Sequence, residues 1–325
     1  FTIKNEPIYS LNLMQRVADS CVNWISNKFK EKENFYIFCG NGNNGGGGFA
    51  LAKIMYHNGF DITVFLNENE NFSKDAASNL KKIKQISGID IFDFNDAATY
   101  NFKENAVIID AVFGTGLNRR TNKKEIDLIT FLNGVKLPKV SIDMPSGLLA
   151  DQMITDQTVI FKADETLSFQ FWKKTFLHPE TGIYCGKVHI LDISLSEEFI
   201  QDETTSDYVI DDQLIHRIYK TRSEFSHKGN FGKTTIIAGS FGRVGAAVLA
   251  VKAALKTGSG LTFVHAPKCG YEILQTSCPE AICLYGGENH HDRFQIDHDT
   301  VVGIGPSLGI NTDTESAFMD FLKSC

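Results

Sequence analysis

The run Phe35-Tyr-Ile-Phe-Cys-Gly40-Asn-Gly-Asn-Asn44-Gly-Gly-Gly47-Gly-Phe-Ala50 decides the architecture. Its first residues, 35–38, form an apolar run rich in β-formers and read as a buried strand. Nine residues follow, six Gly and three Asn, and 49–57 then reads as a helix. Strand, glycine turn and helix together build the anion site of a doubly wound sheet. Glycines permit positive φ and close backbone approach, and free N–H groups at the helix start attract negative charge. The spacing matches neither the GxGxxG fingerprint nor a phosphate loop ending in Gly-Lys-Ser/Thr. The loop therefore reads either as a site for a phosphate-bearing ligand or as a long flexible turn. Its Asn residues, with both donors and acceptors, favour the site.

Outward from this run, 10–30 carries apolar residues at helical spacing on the N-terminal side. On the other side Gly59 suits a helix C-terminus, 61–66 a strand, and Ser73 the cap of a helix reaching about residue 86. Ala106-Val-Ile-Ile-Asp110-Ala-Val is a third strand, 123–132 a polar helix, and Lys139-Val-Ser-Ile-Asp143 a fourth strand running into Met-Pro-Ser146-Gly147. This alternation specifies an α/β fold, a three-layer Rossmann-like arrangement with helices on both faces of a parallel sheet. Polar clusters follow three strands: Asn43 with Asn44, Asp110 with Gly114, Thr115 and Gly116, and Asp143 with Ser146. Either aspartate alone could cap its own turn. Strand ends in a parallel sheet share an edge, however, so the three clusters point to one crevice.

Segments 158–161, 163–171 and 186–192 read as further strands, and the acidic stretch 194–207 as a linker. A second glycine-rich unit follows, with strands at 233–238, 261–266 and 301–305 and a small-residue helix over 246–255. His290, His291 and His298 fit no zinc spacing and read as a surface loop.

A length of 325 residues suits about two domains, here 1–200 and 208–325. The net charge of −7 argues against a nucleic-acid binder, which needs a basic face. No apolar run is long enough for a bilayer and no signal-peptide pattern is present. The seven cysteines are scattered without a CxxC pair, which favours reduced thiols and a cytoplasmic setting. The chain starts at Phe1 without Met and stops at Cys325 soon after a helical pattern begins, so both ends read as clipped.

Several motifs in order resemble the bifunctional NAD(P)H-hydrate repair enzymes: Gly40-x-Gly-Asn-Asn44-Gly-Gly, Asp110-Ala-Val-Phe-Gly-Thr-Gly-Leu117, Ser141-Ile-Asp143-Met-Pro-Ser146-Gly147, His227-Lys-Gly-x-Phe-Gly232 and Pro279-Glu280-Ala281. The resemblance implies an epimerase domain followed by the first part of a ribokinase-like dehydratase domain. The family repairs nicotinamide cofactors to which water has added: one domain interconverts R and S hydrates, the other removes water from the S form with ADP or ATP and magnesium. Carried over, Asn44, Asp110 and Ser146 ligate potassium, a hard cation that takes oxygen ligands. The stretches Asn43, Asn44, Gly45, Gly46, Gly47 and Gly114, Thr115, Gly116, Leu117, Asn118, Arg119, Arg120 hold the hydrate's phosphates and sugars. Asp143 binds the nicotinamide end and is the candidate acid/base. Gly260 and Ser307 are implied as substrate-binding positions of the dehydratase-like part. The implied partners are NAD(P)H hydrates, with a homo-oligomer also compatible.

Two positions depart from the family pattern. Gly47 stands where the family has Asp, and Ser307 interrupts the usual Gly-Pro-Gly-Leu-Gly. The later nucleotide-binding and catalytic motifs of the dehydratase are expected beyond residue 325. The loss at Gly47 raises a second reading, a weakened epimerase-like binding or scaffold protein. A small-molecule kinase, the third reading, leaves 1–193 unexplained.

Overall fold

The computed structural model describes residues 2–67, 71–150, 159–297 and 299–324. Its contacts divide the chain into two compact units, Phe1–Asp207 and Tyr208–Cys325. Among the described residues no helix is long and apolar enough to cross a membrane.

The first unit is a seven-stranded sheet of β1 (Asn34–Cys39), β2 (Asp61–Leu66), β3 (Asp90–Asp93), β4 (Ala106–Ala111), β5 (Lys139–Ile142), β6 (Glu165–Phe169) and β7 (Lys187–Leu191). The order is β3-β2-β1-β4-β5-β6-β7 and every pairing is parallel. Alternate residues serve opposite faces. Phe35, Ile37, Val107 and Ile109 pack with the helices Ser10–Lys28, Asn43–His57 and Lys74–Ile83. Tyr36, Phe38 and Ile108 pack with the helix Lys123–Gly134 on the other side. Strands buried on both faces are apolar throughout, and β4 is buried at every position. Strand order reverses between β1 and β4, so the loops leaving their C-terminal ends diverge and open a crevice.

The glycine run differs from its reading as a turn. Helix begins at Asn43, and none of its six glycines has positive φ. Gly40, Gly45, Gly46 and Gly48 serve close packing instead. A Cβ on Gly45 would lie 1.8 Å from the Gly40 carbonyl oxygen, and one on Gly48 would lie 2.6 Å from Cys39 Sγ. The first helical turn thus lies directly on the strand end, its uncapped N–H groups at the crevice.

Residues 159–161 form no strand, and Thr158 lies outside the described residues. The amide of Asn133 takes the place of a neighbouring strand, donating to Ile160 O at 2.8 Å and accepting from Lys162 N at 2.8 Å. The acidic stretch read as a linker carries a short helix, Glu197–Asp202, capped by Ser196.

The second unit holds a four-stranded parallel sheet of β8 (Lys233–Ile237), β9 (Leu261–Ala266), β10 (Ile282–Tyr285) and β11 (Val301–Ile304), in the order β10-β9-β8-β11. The helix Val244–Thr257 buries Val244, Ala247 and Val251 on it, while Leu249 and Val301 stay exposed. His291 is not on the surface. It is fully buried, with Nε2 at 3.0 Å from Gly239 O and its ring stacked on His265. His290 pairs with Asp313, and His298 lies outside the described residues.

Candidate functional site

The C-terminal ends of β1, β4 and β5 meet around Asp110, whose register neighbours are Phe38 on β1 and Ser141 on β5. Its carboxylate is 1% exposed and accepts four hydrogen bonds. Ser146 Oγ (2.5 Å) and Val112 N (3.2 Å) donate to Oδ1, and Ser141 Oγ (2.8 Å) and Ser146 N (2.8 Å) to Oδ2. Burial pushes the Asp110 carboxyl above the usual carboxylate range, while the four donors pull it back. All four of these donors are neutral.

Ser146 Oγ also accepts from Phe113 N at 2.9 Å. On the same residue, Phe113 O accepts from Asn44 Nδ2 at 2.8 Å, and that amide donates again to Ile142 O at 3.1 Å. Asn44, Asp110 and Ser146, expected together, are therefore linked in a chain: Asp110 to Ser146 directly, and Ser146 to Asn44 through the backbone of Phe113. Among the described residues no group of three or more His, Cys, Asp or Glu comes together as a metal site.

Asp143 follows β5 with φ of 69°, a left-handed conformation that Asp tolerates better than most residues. Thr115 N donates to its Oδ2 at 2.8 Å, and Lys173 Nζ lies 3.2 Å from its Oδ1. Lys173 is held further by Ser168 Oγ and by Phe169 O. A Cβ on Gly114 would come within 2.5 Å of Asp143 Oδ2, so glycine there makes room for the carboxylate.

Asp143, Gly114, Thr115 and Lys173 line a cleft of about 880 Å³, whereas Asp110, Ser141 and Ser146 are buried and are not among its lining residues. Of the expected substrate-binding residues, Asn43, Asn44, Gly47 and Asp143 line it, as does every residue of 114–119. Gly45 and Gly46 lie beneath it, buried in helix packing. Arg120 is not among the lining residues, and its carbonyl accepts from Arg119. Arg119 also forks onto Glu125 at 2.7 and 2.9 Å and covers the Phe113 ring at 5.6 Å. The far wall comes from the Ser10–Lys28 helix through Leu13, Met14, Val17 and Cys21. A Cβ on Gly47 would meet nothing within 4 Å, unlike the packed glycines on either side of it.

Lys173, Ser141 and the wall of the first helix were absent from the sequence expectations. Ser141 lies inside a quoted motif, so its place in that motif was an available signal. Lys173 offers none, because its approach to Asp143 depends on the β5–β6 pairing.

In the second unit the structure does not bring Gly260 and Ser307 together. Gly260 precedes β9 and Ser307 follows β11, at opposite edges of one parallel sheet. A strand rise of about 3.3 Å per residue puts those edges roughly 15–20 Å apart. Gly260 packs its Cα against Lys228, whose carbonyl oxygen would lie 1.9 Å from a Cβ. Ser307 has φ of 56° in the loop after β11.

A family model described as YjeF-related protein N-terminus matches residues 10–175, and one described as NAD(P)H-hydrate dehydratase matches 234–324. A Dictyoglomus turgidum protein named bifunctional NAD(P)H-hydrate repair enzyme Nnr is 31% identical, over 96% of this chain and 63% of its own length. One of the same name from Coxiella burnetii is 28% identical, over 93% of this chain and 61% of its own. The chain thus spans less than two thirds of either relative. The crystal structure of yeast ynu0 is 18% identical, covering 57% of this chain and 79% of its own, with a TM-score of 0.47. By these two successive matches the chain belongs to the YjeF-related family, in the two-part arrangement of the bifunctional NAD(P)H-hydrate repair enzymes.

Proposed function

We propose that the first unit is an NAD(P)H-hydrate epimerase, interconverting R and S hydrates in the cleft beside Asp143. One observation carries this reading: Asn44, Asp110, Ser146 and Asp143, from three strand ends, converge at the point where strand order reverses. The helix start at Asn43 presents N–H groups to phosphate oxygens, and the cleft-lining stretch 114–118 would hold the sugars beside it. Asp143 takes and returns the proton that inversion at the hydrated carbon requires. Its carboxylate is aimed beforehand by Thr115 N and Lys173.

The donor set fits potassium. A buried carboxylate whose hydrogen-bond donors are all neutral leaves one negative charge uncompensated; the Ser146 hydroxyl touches it, and the Asn44 amide is linked to that hydroxyl through the backbone of Phe113. Asp110, Ser146 and Asn44 would hold the ion. When bound, it neutralises Asp110 and adds positive potential at the sheet edge for an anionic ligand. For a complete second domain we propose dehydration of the S hydrate with ADP or ATP and magnesium. The six described cysteines are free thiols, which supports a cytoplasmic setting.

The open space over Gly47 favours a second reading, in which the site binds a hydrate or another nucleotide without turning it over. Incubating the chain with pure R or pure S hydrate and following the ratio decides between them. Approach to the same R/S ratio from both sides, faster than without protein, is the expected result. Tight binding without interconversion favours the second reading.

A further inference from the structure

Lys173 is the second charged group at the reacting end of the cleft. Its side chain and that of Asp143 are exposed to similar small extents, 16% and 15%, and both line the cleft. Three oxygens hold the ammonium: Asp143 Oδ1 at 3.2 Å, Phe169 O at 3.4 Å and Ser168 Oγ. Both carboxylate oxygens of Asp143 are likewise held, by Lys173 and by Thr115 N. The pair is thus an acid and a base in direct contact, fixed from both sides and reachable from the cleft. Resting on the epimerase reading above, we propose that Lys173 is the general acid of the reaction and Asp143 its base.

The chemistry closes with these two groups. Water added beside the ring nitrogen gives a hemiaminal, a carbon bearing both a hydroxyl and that nitrogen. Asp143 takes the hydroxyl proton, and the oxygen's electron pair forms the carbonyl. The carbon–nitrogen bond breaks with its electrons going to nitrogen, which takes a proton from the Lys173 ammonium. The site then holds a carboxylic acid beside a neutral amine, and one proton passing across the 3.2 Å contact restores the ion pair. Rotation of the freed aldehyde and ring closure on its other face invert the carbon, with every transfer reversed. No oxidant or further reactant enters.

An acid role and a purely electrostatic one separate by substitution. Arginine keeps the charge and can hold the carboxylate, yet it does not give up its proton. Lys173→Arg and Lys173→Met should both lower kcat by about 100-fold or more, with KM within roughly threefold, because general acid catalysis contributes on that scale to the chemical step alone. Unchanged melting temperatures establish that both variants fold. Lys173→Ala supplies an independent readout. Added methylammonium should restore turnover in proportion to its concentration, and added guanidinium, a cation that stays protonated, should not. Equal rescue by both cations, or an active Lys173→Arg, makes Lys173 a positioning counter-ion and overturns the proposal. A wild-type chain and a Gly47→Asp variant that both fail to interconvert the hydrates sink the epimerase reading, and this proposal with it. Interconversion by wild type with an active Lys173→Arg overturns the assignment of Lys173 alone.

Discussion

Alanine at two glycines two residues apart on the same helix, Gly45 and Gly47, should push stability in opposite directions. Replacing a helical glycine by alanine gains about 1 kcal/mol from backbone entropy at either position. At Gly47 that gain stands alone, because the added Cβ meets nothing within 4 Å. At Gly45 the Cβ would lie 1.8 Å from the Gly40 carbonyl oxygen and 2.7 Å from its nitrogen. Gly40 cannot yield freely, since its N–H is bonded to Ala111 O and its own Cα faces the Val112 carbonyl. Overpacking against fixed backbone costs about 3 kcal/mol, the upper part of the usual range. Net values are about +1 kcal/mol for Gly47→Ala and about −2 kcal/mol for Gly45→Ala. For a unit of this size each kcal/mol moves Tm by about 2–4 °C, so the two melting curves should separate by roughly 6–12 °C. Circular dichroism at 222 nm, a wavelength where helix dominates, follows the transition, and urea midpoints provide a second measure. Equal shifts in the two variants would refute the account of why this helix begins in glycine.

Gly47→Asp should raise hydrate turnover while leaving hydrate affinity within about threefold, because phosphate binding relies on backbone N–H groups that remain. Equal turnover before and after would show that the position needs no acid. Asp143→Asn should keep the fold, since Asn also tolerates φ near +69°, and abolish interconversion; retained activity removes Asp143 from the mechanism. Potassium chloride should stabilise the first unit relative to choline chloride of equal ionic strength, by about 2.7 kcal/mol at a hundred times Kd, and so raise its melting temperature. Burial raises the Asp110 pKa, so protonation stabilises the fold at low pH and this contribution is lost as pH rises through the raised value. The potassium gain should therefore fade as acid is added, and it should vanish in Asp110→Asn; a salt response unchanged in that variant rules out the site. In the second unit, burial together with the neighbouring His291 pushes His265 down to about 4. Its neutral ring stabilises the fold fully above about 6.5 and the contribution is lost as pH falls through 4, so acid unfolding between those values should flatten in His265→Gln.

The parallel sheet was legible because two-sided burial leaves uninterrupted apolar runs such as 106–109, and the polar residues ending those runs marked the edge. The short strands β3 and β10 escaped notice because four residues, Asp90–Asp93 or Ile282–Tyr285, carry too little pattern. The helix start at Asn43 was hidden by propensity: a run of glycines disfavours helix, and only contact with Gly40, Cys39 and Ala111 makes it the residue required. Asn44, Asp110, Ser146 and Asp143 could be named from motifs, since each follows a recognisable strand. Lys173 could not, since it belongs to no quoted motif and the contact with Asp143 spans 30 residues. His291 misled for a related reason. Its polar sequence neighbours suggest exposure, while the ring is buried, stacked on His265, with Nε2 bonded to Gly239 O.

The open space over Gly47 has an evolutionary consequence. Asp110 is tied to the fold by four hydrogen bonds, and Asp143 by a backbone conformation that few residues other than Asn and Gly share, so most exchanges at either put folding at stake. Residue 47 carries no such tie. From a GGT or GGC codon one base change turns glycine into aspartate, and the reverse change undoes it without disturbing a packed atom. Acidity at this position can thus be acquired or discarded by a lineage in a single step, on a scaffold that selection for folding alone would keep unchanged.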